Sequence, residues 1–361
     1  MINFNVRQYN VFLLNEAVDK RCLPRYRETS EDTFVKTNKT IQTPTSKYAQ
    51  DAEYKKELCK LSGISGIQPN LLQSIMGPSE FRDKIIENSE NRTFYVTGER
   101  PEEKVGIPDS NKLENVKMKI FGGNYHIHTV HSDGSLSVAE LLEQAVSYGN
   151  EYAKINNKPF IIGITDHNTV EGCKEAVKII AKNPDKYKNI RVILGCEIST
   201  KEDEINGYRF KKPEKYHILT MCINPFEKRL NKFLNYLQEE SHNPMVVKRI
   251  SIKEAFDGIK HQKQCYFALA HPAFPDLGHR IGSDRDVYST LRETIKHFKD
   301  ITKERGLYTE AYYSSYFGNL ATDKKIYDTI IETCDDIHLY KAGGIDTHGE
   351  SIFYCGTKIE R

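Results

Sequence analysis

From about residue 117 the chain alternates short apolar runs with amphipathic stretches, and histidines and carboxylates cluster at or just beyond the ends of these runs. Phe160 to Thr165, Ile190 to Leu194, His217 to Cys222 and Tyr266 to Ala270 have the length and composition of strands. Val116 to Phe121 alternates apolar and polar residues before Gly122-Gly123. Segments near 137–148, 169–181, 228–240, 287–305 and 323–334 carry helical spacing. Ser137 with Glu140 fits a capping box, and Ala139, Leu142, Ala145 and Val146 then share a face. Strand followed by helix, repeated, predicts an α/β parallel sheet or barrel, in which functional groups collect at the carboxyl ends of the strands.

The first 116 residues read differently. They hold polar clusters, a Gly-rich break over 62–66, and helical periodicity only around Phe81 to Ile86. Residues 99–112, with two prolines and alternating charge, read as a linker. The expected division is therefore an N-terminal extension, 1–116, and a catalytic-type domain, 117–361. The formal charge is +2 over 361 residues, which argues against a non-specific nucleic-acid coat and an acidic tail protein. No apolar run approaches the ~20 residues of a membrane span, so no membrane partner is expected. The eight cysteines are dispersed without a Cys-x-x-Cys pair, which predicts reduced thiols and a cytoplasmic location.

The histidines carry the functional signal. His126 and His128, one residue apart, would point to the same face of a strand. Asp133 follows in Ser132-Asp133-Gly134, where glycine permits a sharp turn. His167 stands in Thr165-Asp166-His167-Asn168, Glu197 in Gly195-Cys196-Glu197, His217 opens one apolar run and His271 closes another. Asp346 and His348 repeat the spacing of two. Mixed imidazole and carboxylate donors suit Zn, Mn or Fe. Six imidazoles and three carboxylates exceed the ~4 ligands of one tetrahedral ion, so two or three divalent ions in one pocket are expected.

This ordered set resembles the polymerase-and-histidinol-phosphatase (PHP) family of metal-dependent phosphoesterases. The resemblance runs over about 117–350, through His126-Ile127-His128-Thr129, Ile164-Thr165-Asp166-His167, Gly195-Cys196-Glu197-Ile198-Ser199-Thr200, His217, Ala270-His271-Pro272 and Asp346-Thr347-His348. It implies a distorted (β/α)7 barrel with a trinuclear site. His126, His128, Glu197 and Asp346 would hold one ion, and Asp133, His167 and His348 a second. Glu197, shared, would hold a third with His217 and His271. Within the family, the Ser-Asp-Gly turn and the Glu-Ile-Ser-Thr string look most like the TrpH-type branch, which acts on nucleotides and nucleic-acid ends, and less like histidinol phosphatases.

Several other residues have two readings. Asp166 is a helix cap or a catalytic group orienting a ligand or metal-bound water. His131 reads as an exposed loop residue. Glu310, near another strand end, reads as a residue supporting the ligands. Arg209, Lys211, Lys212 and Lys215 follow Glu202, Asp203 and Glu204 and read as a solvated loop. Arg280 could clamp a substrate phosphate, and Tyr312-Tyr313 and Tyr316-Phe317 could stack bases, with packing as the plainer role. A divalent pair lowers the pKa of bridging water from 15.7 toward ~7. The expected reaction is hydrolysis of a phosphoester, on a phosphorylated small molecule or a nucleic-acid end, by metal-bound hydroxide with Glu197 bridging. An amidohydrolase or a non-catalytic metal-stabilised interaction module are the competing expectations.

Overall fold

The computed structural model describes residues 48–90, 123–239, 241–273, 287–313, 320–344 and 346–352. The expected strand at 116–121, the linker at 99–112, Arg280 and Tyr316-Phe317 lie outside these residues, as do the side chains of Tyr312 and Tyr313.

Seven strands form one sheet in chain order: β1 (Gly123–Ile127), β2 (Phe160–Ile164), β3 (Ile190–Ile205), β4 (Tyr208–Met221), β5 (Tyr266–Ala270), β6 (Gly306–Tyr313) and β7 (Tyr340–Gly344). Beyond β7, Thr347 bridges to Ile127. The His128 amide donates to the Thr347 carbonyl (2.9 Å) and the Thr347 amide to the His126 carbonyl (3.1 Å), bringing the last strand back to the first. The sheet is thus a nearly closed barrel.

Its helices are α1 (Ala49–Ser62), α2 (Pro78–Glu90), α3 (Val138–Asn156), α4 (Glu171–Lys182), α5 (Lys228–Leu237), α6 (Ile252–Ile259), α7 (Val287–Thr302) and α8 (Leu320–Asp336). The Ser137–Glu140 capping box forms at the start of α3, and a second box, Ser251 with Glu254, starts α6, a helix absent from the periodicity reading.

One expectation needs correcting. β4 is antiparallel to both β3 and β5, whereas the βα rhythm predicts parallel neighbours throughout. The strand expected to stop at Leu194 runs on to Ile205 and turns directly into β4. Asn206 (φ 49°) and Gly207 (φ 78°) form the two-residue turn, and positive φ at both positions is what a type I′ hairpin demands. The charged stretch 202–215 is therefore a hairpin. Glu202 is buried there and accepts the Ile252 amide at the start of α6, while Asp203 pairs with Arg249.

The two sheet faces separate cleanly. Ile162, Ile164, Val192 and Leu194 pack with the helices, while Ile161, Ile193, Leu219 and Ala342 join a second cluster with Met76, Phe81 and Ile85. Phe81 meets Tyr125 and Tyr308 edge-on, with ring centroids 6.1 and 6.2 Å apart. Residues 74–76 also extend the sheet: the Val192 amide donates to Ser74 (2.7 Å), and the Met76 amide to Val192 (2.9 Å). The segment 48–90 thus closes the barrel base, and Asp51 of α1 holds the first turn of α2 by accepting the Ser79 amide (2.8 Å).

Candidate metal centre

Strand geometry explains how distant residues converge. Side chains two apart on a strand share a face, so the inward positions continue upward from Ile193 to Gly195 and Glu197 on β3 and from Ala342 to Gly344 and Asp346 beyond β7. Because β4 runs the other way, His217 lies above Leu219, opposite Ala270 and beside His271. The reversal is what brings His217 to the same rim as the ends of the parallel strands. Past β2, the chain stays paired with β3: the Glu197 amide donates to Asp166 (3.1 Å) and the Asn168 amide to Glu197 (2.8 Å), setting His167 beside Glu197.

All nine ligand candidates gather here. His126 Nε2 and His128 Nε2 lie 3.1 and 3.0 Å from Glu197 Oε2, and 3.2 and 3.0 Å from Asp346 Oδ1. Asp133 is 3.2 Å from His348 Nε2 and 3.8 Å from His167 Nε2. The other oxygen of Glu197, Oε1, lies 3.0 Å from His217 Nδ1 and 3.2 Å from His271 Nε2. Glu197 thus stands between two groups of imidazoles, one on each oxygen. The side chains of His126, His128, Glu197 and His271 are essentially sealed from solvent, whereas Asp133 is 32% and His217 22% exposed, so the centre opens on that side. His271 (φ 21°) and Asp346 (φ 53°) have left-handed backbones, a strain that concentrates at functional positions.

The electrostatics match a cation site. Burial opposes charge on His126, but Glu197, Glu310 and Asp346 outweigh it and hold the imidazole well above its ordinary value. His128, equally buried, is raised to about 10 by Asp346 and Glu197. Burial wins at His167, depressing it to about 3. Glu197 and Asp346 sit well below the usual carboxylate range, burial being overcome by the surrounding imidazoles. Asp133 is lowered to about 2 against burial, chiefly by His348. In this state imidazolium protons balance the carboxylates, a balance divalent cations can take over. Glu197 Oε2, His167 Nδ1 and His217 Nδ1 are buried without a well-formed hydrogen bond. Buried polar atoms without hydrogen bonds are costly, and donors of these types fit Zn, Mn or Fe.

The remaining candidates divide. The Asp166 carboxylate turns to the loop after β1, accepting the Thr129 amide (2.7 Å) and the hydroxyls of Thr129 and Ser132 (2.9 Å each). That loop carries Asp133. His131 pairs with Glu175 of α4 at 2.7 Å, a partner the loop reading did not include. Asn168, given no role in the sequence reading, binds Ser199 and the Pro244 carbonyl (3.0 and 2.8 Å) and so ties the 241–250 loop to the rim. Its position beside His167 was the available signal.

A family model for the PHP domain matches residues 124–313, more than half of the chain. The chain belongs to the PHP domain family. A curated relative, the DNA polymerase/3'-5' exonuclease PolX of Bacillus subtilis, is 26% identical over 178 residues, which are 49% of this chain and 28% of that protein. The PHP chain therefore spans little more than a quarter of that relative. A solved structure of a candidate metal-dependent phosphoesterase from Bifidobacterium adolescentis aligns with a TM-score of 0.42 and 15% identity, covering 63% of this chain and 88% of the other. Among the described residues no helix is long and apolar enough to cross a membrane.

Proposed function

We propose that this PHP protein is a metal-dependent phosphoesterase that hydrolyses a phosphoester on a nucleotide or at the end of an oligonucleotide. One observation carries the reading: the Nε2 atoms of His126 and His128 each lie 3.0–3.2 Å from both Glu197 Oε2 and Asp346 Oδ1 in a buried pocket. Those four residues would hold one ion, Asp133, His167 and His348 a second, and Glu197 with His217 and His271 a third. We assign 117–361 as the phosphoesterase domain, with the helices of 48–90 as its base.

When bound, divalent ions supply Lewis acidity, bringing water's pKa toward ~7 and neutralising phosphoryl charge. The chain does the rest. Glu197, with an oxygen toward each imidazole group, fixes their separation. Asp166 braces the loop that presents Asp133 at the open side, where an anionic substrate would enter. The apolar layer of Ile193, Leu219 and Ala342 lies one or two strand steps below and excludes water from beneath. The exonuclease named for the Bacillus relative supports a nucleic-acid end as substrate class. Elemental analysis, then assays with an aryl phosphate, nucleotides and short 5'-phosphorylated DNA and RNA with added Mn, test the reading. Amidase activity, or metal without any hydrolysis, would replace it.

A further inference from the structure

Glu310 belongs to none of the three ligand groups above, yet it is fully buried on β6 beside them. Its Oε1 lies 2.9 Å from His126 Nδ1, and its Oε2 accepts the backbone amide of His271 at 2.8 Å. We propose that Glu310 is a positioning residue that holds two metal subsites in register, fixing the ring of His126 with one oxygen and the backbone of His271 with the other. The inference rests on the ligand assignment under Proposed function.

The atoms require a carboxylate. The His271 amide is a permanent donor. His126 can offer a lone pair at Nε2, toward Glu197 and Asp346, only if its proton is on Nδ1, so its inner nitrogen is a donor too. Two donors face Glu310, and only a carboxylate meets both with acceptors. Glutamine offers one acceptor and one donor. With its oxygen on His271, its amide hydrogens meet His126 Nδ1 and force the proton to Nε2, the wrong tautomer for a ligand.

Two further features support the role. A side chain at Gly344 would overlap the Glu310 carboxylate, so β7 leaves room for it. His271 has a strained backbone (φ 21°), and its ring stacks on His126 at 5.6 Å and 13°, so both rings move with the same anchor. His126, His271 and Glu310 are also close enough to hold a cation themselves, but both oxygens of Glu310 are already engaged.

The test is calorimetric titration of chelator-stripped wild type and Glu310→Gln with Zn. The expected result is full stoichiometry at saturation with one binding step weakened ~10–100-fold and the others nearly unchanged, the scale for losing a partner behind a metal ligand. Unchanged binding overturns the proposal. Loss of one whole metal equivalent at saturation also overturns it, because Glu310 would then be a ligand. A wild type that binds no metal instead removes the ligand assignment itself. Nitrogen-15 spectra of the Zn-loaded wild type give a readout that needs no variant: His126 Nδ1 must be protonated and hydrogen-bonded, and a bare or metal-bound Nδ1 refutes the role. Gly344→Ala, which displaces the whole carboxylate without replacing a ligand, should weaken the same step and also the one that depends on His271.

Discussion

At the base of the barrel, Leu219, Tyr308 and Ala342 point inward onto Met76, Phe81 and Ile85. One or two inward positions higher on the same strands, ~7–14 Å along the chain, stand His217, Glu310 and Asp346. The strands are shared and only the side chains change. The base carries no buried ionic cluster among the described residues and gains its stability from area and packing. The rim holds buried carboxylates and imidazoles whose mutual attraction is offset by desolvation, so it is suited to binding cations more than to holding the fold. Stability and chemistry therefore occupy opposite ends, a division known from barrels generally.

The sharpest way to break that comparison is at the rim. Glu197→Gln is expected to lower turnover of an aryl phosphate by ~10³-fold or more, the scale of removing a preorganised charge, while circular dichroism stays that of the wild type. Full turnover with metal bound would mean that Glu197 is not central.

At the base the expectation inverts. Phe81→Ala should cost ~3–5 kcal/mol and lower the melting temperature by roughly 10 °C, with unchanged metal stoichiometry where the protein is folded. A calorimetric scan showing no shift would remove 48–90 from the structural base.

Metal removal and pH sharpen the contrast. His128 is raised to about 10 in the metal-free fold, above its unfolded value near ~6.5. Its contribution to metal-free stability is therefore complete below ~6.5 and lost as pH rises through about 10. Melting of chelated protein should accordingly decline over that window, while metal affinity increases because the same proton must leave. Parallel thermal scans and metal titrations between these limits check both slopes.

The smallest effect belongs to the hydrogen bond from Asn88 to the Tyr125 hydroxyl (2.6 Å). Tyr125→Phe should cost ~1 kcal/mol, read by denaturant titration, with no change in activity.

Much of this was legible in the chain. His126-x-His128, Glu197, His271 and Asp346-x-His348 fall at the ends of apolar runs, and their order alone points to the family. Ser137-x-x-Glu140 announced α3 correctly. The β3–β4 hairpin was also signalled, by Asn206-Gly207, but the surrounding charges favoured a loop reading. They failed as a guide because Glu202 is buried as a helix cap, a pairing made with a residue 50 positions away. Glu310 was legible as a residue supporting the ligands, but not which ligands it holds.

By itself the sequence determined which donor types were present, their spacing, and the period-two alternation that sends them inward. Those are local properties, set by the pleat and by the chemistry of each side chain. The tertiary structure alone decided that 48–90 seals the base and that Glu310 faces His126 and His271. Each depends on contacts between residues far apart in the chain, whose energies exist only once the barrel closes and water is excluded.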